Sequence, residues 1–135
     1  MSNEKPILML VEDEITHRRL FERNFDRHDM DMDLVSLENG VQAMQYLYKA
    51  VENQQASLVM VLDLKMPGMN GLQVLEAVRG DDRLKHVPVI ILTTSDEEDE
   101  MGRCAELGIH SYLIKPVNFD ELSLYIDQAL ANNKL

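Results

Sequence analysis

Four short apolar runs in this sequence each end at a residue able to do chemistry. Glu12 and Asp13 follow Ile7 to Val11, Asp63 follows Leu58 to Leu62, Thr93 follows a run closing at Leu92, and Lys115 follows Tyr112 to Ile114. If the runs are strands of one sheet, these carboxylates, hydroxyl and ammonium meet at one edge. Two unit charges ~4 Å apart repel by roughly 4 kcal/mol at an effective dielectric near 20, so such carboxylates call for a cation. Hard oxygen donors in a site open to water and phosphate suit Mg²⁺. Lys115 brings a further positive charge, placed to hold a ligand oxygen. A carboxylate nucleophile beside a metal, a lysine and a hydroxyl describes phosphoryl chemistry, in which positive groups neutralise the transferring group.

The elements that must position these groups are legible in outline. The runs Ile7 to Val11, Leu58 to Leu62, Val87 to Leu92 and Tyr112 to Ile114 read as strands buried on both faces, with a weaker one at Asp33 to Leu37. Continuous apolar strands belong in a parallel sheet covered by helices on both faces. Helical periods lie between them. Val41, Met44, Leu47, Tyr48 and Val51 share a face, as do Phe119, Leu122, Ile126 and Ala129. Leu72, Leu75 and Val78 form a shorter stripe, and Ile15 to Phe25 a less regular one. Asn39 before Gln42, Ser95 before Glu98 and Asn118 before Glu121 have the spacing of helix-starting capping boxes. Gly108 stands where a left-handed helix end would fall. The pattern predicts an α/β fold of (βα)5 type, doubly wound with right-handed crossovers, whose sites lie at the carboxyl ends of the strands.

Composition narrows the function classes. The chain has 135 residues, 45% hydrophobic and 27% charged, as expected of one folded domain. A net charge of −11 disfavours nucleic acid and anionic membrane as partners. The lone Cys104 excludes an internal disulfide and fits a reducing, cytoplasmic location. Residues Met1 to Lys5 are polar, without a signal-peptide apolar region, and no run approaches the ~20 apolar residues of a membrane span.

Together these residues carry a family resemblance. Leu10-Val11-Glu12-Asp13-Glu14, the stretch Leu62-Asp63-Leu64-Lys65-Met66-Pro67-Gly68-Met69-Asn70-Gly71, Pro88 to Thr93, and Tyr112-Leu113-Ile114-Lys115-Pro116 occur in the order and spacing of the response-regulator receiver family of two-component systems. The chain resembles its single-domain chemotaxis-type members, and Asp81 to Pro88 is similar to receivers that accompany phytochrome-type kinases. The resemblance spans residues 6–131 and implies a flavodoxin-like five-stranded parallel sheet of order 2-1-3-4-5. It implies Asp63 as the phosphoacceptor, and Mg²⁺ held by Asp13, Asp63 and the Lys65 carbonyl, with Glu12 acting through water. It also implies Thr93 closing on the phosphoryl group, Lys115 pairing with one of its oxygens, Tyr112 moving as a switch, and a cis Lys115–Pro116 bond. A sensor histidine kinase or phosphotransfer protein would be the donor, and with no output domain expected after Ala131 a downstream protein would receive the signal. Glu12 stands where many members have Asp, and Asn70 where Asp is common.

Plainer readings sit beside these. Asp63 alone would pass for a helix cap and Lys115 for a solvated lysine; the Met-Pro-Gly turn and the Lys-Pro pair are what raise them. Tyr112 could be a core aromatic, but its place three residues before Lys115 favours a switch. His17, His28, His86 and His110 lack metal-ligand spacing and read as surface residues. Cys104 reads as packing, Asp96 to Glu100 as acids complementing a helix start, and Met101, Ala105 and Leu107 as that helix's anchors. A small phosphohydrolase with a strand-end Asp nucleophile is the alternative, but position 65 is Lys where a D-x-D pattern needs Asp. A flavin or nucleotide module would want a glycine- or hydroxyl-rich loop where Glu12-Asp13-Glu14 stands.

Overall fold

The structure is a computed structural model that describes residues 5–54 and 57–132; most of the polar amino-terminal stretch lies outside the described residues. The chain alternates β1 (Ile7–Val11), α1 (Ile15–Arg27), β2 (Asp33–Leu37), α2 (Gly40–Glu52), β3 (Leu58–Leu62), α3 (Gly71–Arg79), β4 (Val89–Thr93), α4 (Glu98–Leu107), β5 (Ser111–Ile114) and α5 (Phe119–Asn132). The strands form one parallel sheet of order β2-β1-β3-β4-β5.

Because strand side chains alternate between faces, each apolar run feeds two cores. Met9, Val11, Met60, Leu62, Val89 and Ile91 face α2 and α3, meeting Ala43, Leu47, Val74, Leu75 and Val78, with Cys104 of α4. Leu8, Leu10, Val59, Val61, Ile90 and Leu92 face α1 and α5, meeting Phe21, Phe25, Phe119, Leu122 and Ile126. At about 1.5–3 kcal/mol per fully buried large aliphatic side chain, these layers dominate the stability of the fold. The register aligns Val11 with Leu62 and Leu62 with Ile91, so the residues that follow β1 and β3 emerge side by side.

Some expectations are corrected. β4 begins at Val89 rather than Val87, because Val87 donates to the Leu84 carbonyl in a turn and Pro88 has no N–H to give a ladder. β5 is half-buried and Ile114 is exposed, since this strand lies at the sheet edge. In α4 the buried anchor is Cys104, with Leu107 partly buried, while Met101 and Ala105 face outward. Ser95 is not a helix cap: α4 starts later, flanked by Glu97, which makes no side-chain cap bond. Asn39 and Asn118 do cap, accepting from the N–H groups of Gln42 (2.9 Å) and Glu121 (3.1 Å). The reciprocal capping box is at Asn70 and Gln73, each side chain taking the other's backbone N–H at 2.9 Å. Gly108 adopts the expected left-handed conformation, φ 81°.

Candidate functional site

The loops after β1, β3, β4 and β5 converge at the carboxyl edge of the sheet. Asp63 is fixed through its backbone, its N–H donating to the Val11 carbonyl at 3.1 Å. Its carboxylate accepts from the Lys65 N–H at 3.1 Å and from the Lys115 ammonium at 3.2 Å. Behind it, Gly71 opens α3 so closely that an added Cβ would lie 2.1 Å from the Asp63 carbonyl oxygen. Only glycine permits that approach, and it brings the capped start of α3 against the nucleophile's own backbone.

Glu12 is buried, donates its N–H to the Leu37 carbonyl at 3.0 Å and accepts from the Glu14 N–H at 3.1 Å. Burial pushes its carboxyl above the ordinary range, against the pull of a short contact with the Lys115 ammonium. Asp13 is more open to solvent. Oxygens of Glu12, Asp13 and Asp63 all lie within 4.8 Å of one another. A trio of hard, acceptor-only carboxylates this close fits a divalent cation of the Mg²⁺ kind. Lys115, its side chain only 12% exposed, bridges Glu12 and Asp63 and supplies positive charge to both. Its backbone N–H is tied to the Thr93 carbonyl at 2.8 Å, and the Lys115–Pro116 bond is cis, as the resemblance implied.

Thr93 and Tyr112 share one partner. The Thr93 Oγ1, wholly buried, accepts from the Ser95 N–H at 3.3 Å, and the Tyr112 hydroxyl donates to the Ser95 carbonyl at 2.9 Å. The Ser95 hydroxyl in turn donates to the Glu100 carboxylate, whose other oxygen lies 3.2 Å from the Lys65 ammonium. The Ser95 hydroxyl, followed by Lys65, holds the Glu100 carboxyl below its usual range. Ser95 therefore links both expected switch residues to the first turn of α4. The pattern Ser-x-x-Glu had suggested only a cap.

Sequence reasoning missed further residues. Arg18 is buried and donates to the carbonyls of Glu12 (2.9 Å) and Asp13 (3.1 Å), bracing the loop that carries both acids. His17, read as a plain surface residue, places Nδ1 2.9 Å from the Lys115 ammonium. The side chain of Lys65 turns away from the acids toward Glu100 and Glu97. A cavity of about 310 Å³ opens beside the site, walled by Leu20, Phe21, Leu92, Pro116 and Val117.

The family model of the response regulator receiver domain matches residues 8–127. The chain is 35% identical over 124 residues to the probable methanogenesis regulatory protein FilR2 of Methanothrix harundinacea, covering 90% of this chain and 79% of that protein. It is 33% identical over 123 residues to response regulator Rcp1 of Synechocystis, covering 90% and 84%. Among solved structures, the bacteriophytochrome response regulator AtBRR superposes with a TM-score of 0.79 at 35% identity, over 96% of this chain and 94% of that one. The Mn²⁺-bound form of Rcp1 superposes with a TM-score of 0.73 at 30% identity, over 93% and 90%.

Proposed function

Because the chain belongs to the response regulator receiver domain family, we propose that it is a phosphorylation-operated switch that accepts a phosphoryl group on Asp63 from a histidine kinase or phosphotransfer protein. The observation that carries this reading is the Asp63 carboxylate at the end of β3, held among Glu12, Asp13 and the Lys115 ammonium. One Asp63 oxygen attacks the phosphorus of a phosphohistidine, the P–N bond breaks, and the imidazole leaves with its electron pair. Glu12, Asp13, Asp63 and the Lys65 carbonyl would hold Mg²⁺, which supplies charge neutralisation for the incoming group. Lys115, already against Asp63, exchanges a carboxylate partner for a phosphoryl oxygen. The existence of an Mn²⁺-bound form of the similar response regulator Rcp1 supports a divalent ion in this chain.

Transmission follows from Ser95. When the Thr93 hydroxyl turns to the phosphoryl oxygens, the Ser95 N–H loses its acceptor. Ser95 then moves with its Tyr112 and Glu100 contacts, and the first turn of α4 follows. The Lys65–Glu100 pair resists little, since exposed ion pairs are worth about 0–1 kcal/mol. Phosphorylation thus shifts a population between two arrangements of Thr93, Tyr112 and α4, and a downstream protein selects one of them. The acidic balance of the chain argues against nucleic acid as that target. A hydrolase reading finds no support at position 65, where the lysine side chain is engaged with Glu100.

The test is transfer from an autophosphorylated histidine kinase to the wild-type chain and to Asp63→Asn. Label should pass to the wild type and not to the variant; equal labelling of both would refute the assignment.

A further inference from the structure

Lys115 has three N–H donors and no acceptor, and each donor has a partner in the structure: Glu12, Asp63 and the Nδ1 of His17. The nitrogen facing an ammonium accepts through its lone pair, so Nδ1 of His17 is the acceptor in this contact. His17 stands in the first turn of α1, 3.8 Å from Glu12, and its 44% exposed ring roofs an ammonium that is 12% exposed. Of the three acceptors, His17 alone is neither a carboxylate nor a residue assigned to the cation.

We propose that His17 is a positioning residue that keeps the Lys115 ammonium aimed at Asp63 while the carboxylates are engaged elsewhere. The proposal rests on the reading of Asp63 as phosphoacceptor. Phosphoryl transfer demands that Glu12 and Asp63 turn toward a divalent cation, which removes two of the ammonium's three acceptors just when its place matters most. A lysine on a flexible four-carbon stem would otherwise swing into solvent. The imidazole, carried by a helix braced through the Arg18 contacts to the Glu12 and Asp13 carbonyls, is a fixed acceptor that cation binding does not withdraw.

The test compares the full chain with His17→Gln, which retains an acceptor, and His17→Leu, which does not. In protein saturated with Mg²⁺, the Lys115 ammonium resonance should be visible in the wild type, retained in His17→Gln and broadened away in His17→Leu. With a small acyl phosphate and Mg²⁺, His17→Leu should lose about tenfold in maximal labelling rate (~1.4 kcal/mol). Its half-saturating donor concentration should hold, and His17→Gln should recover most of the rate. His17 is exposed, so thermal unfolding of both variants should stay close to the wild type. A His17→Leu protein with wild-type ammonium signal and rate would overturn the proposal, as would equal losses in both variants. If the wild type takes no label on Asp63, the phosphoacceptor reading fails, while the ammonium signal still judges the contact.

Discussion

Gly71→Ala separates the account from one in which the loop after β3 merely displays Asp63. A Cβ there would sit 2.1 Å from the Asp63 carbonyl oxygen, 2.7 Å from the Leu64 Cα and 2.8 Å from the Asp63 carbonyl carbon. All three are backbone atoms, so no side-chain rotation relieves the clash. Either the start of α3 or the segment Asp63 to Leu64 must move, straining the Gly71 N–H bond to the Leu64 carbonyl, now 3.1 Å. Overpacking of this kind costs about 1–3 kcal/mol. The propensity gain of alanine over glycine, at most ~1 kcal/mol within a helix, is reduced at this first position. A net loss of about 2 kcal/mol corresponds to a fall of roughly 5–10 °C in the unfolding midpoint for a domain of this size. Displacing a nucleophile by ~1 Å can cost on the order of a hundredfold in rate. Thermal unfolding followed by circular dichroism and acyl-phosphate labelling would report the two effects. A variant as stable as the wild type and labelled at the same rate would refute the claim that α3 is packed against the nucleophile.

Further outcomes follow from other contacts. Arg79 donates to the carbonyls of Leu107 (2.9 Å), Gly108 (2.7 Å), Lys85 (3.1 Å) and Val87 (2.8 Å), so Arg79→Met should lower stability in a urea titration by about 2–3 kcal/mol. A change within a few tenths would show that water replaces the guanidinium. His28 faces acceptors with both ring nitrogens, Asp120 at 2.8 Å and the Asn24 carbonyl at 2.9 Å, which raises its pKa above 6.5, chiefly through Asp120. Its stabilisation is therefore complete below 6.5 and lost as pH rises through the folded value, so Asp120→Asn should lower the unfolding midpoint at about pH 5.5 and matter little at about pH 9. An effect of equal size at both pH values would contradict the charged pairing. A beryllofluoride mimic of the phosphoryl group should perturb amide resonances from Asp63 through Thr93 and Ser95 to α4 and Tyr112. Perturbation confined to the pocket loops would count against Ser95 as the link.

The sheet and the acids were readable from sequence for one reason: a parallel strand buried on both faces is a continuous apolar run, and its carboxyl end marks a site. Glu12, Asp13, Asp63, Thr93 and Lys115 all sit at such ends. Strand order was not in the residues and came only with the family resemblance. Arg18 and Arg79 were not legible because the carbonyls they brace leave no side-chain pattern, and the Glu38 carboxylate that Arg18 also meets lies twenty positions away. His17 and Lys115 are 98 positions apart, and only the topology joins them. In α4 the misassigned anchors reflect helical phase: with few apolar residues among acids, only the packing of Cys104 against the sheet shows which face turns inward. Ser95 misled because a hydroxyl three residues before a glutamate can cap a helix or, as here, hold the residue at position 100 from outside it.

The most direct measurement is intact-mass spectrometry of the full chain after incubation with a small acyl phosphate and Mg²⁺, with peptide mapping of the product. The product should carry the mass of one added phosphoryl group, located on Asp63, absent when divalent ions are chelated and absent in Asp63→Asn. A phosphoryl group on another residue, or undiminished labelling of Asp63→Asn, would contradict it.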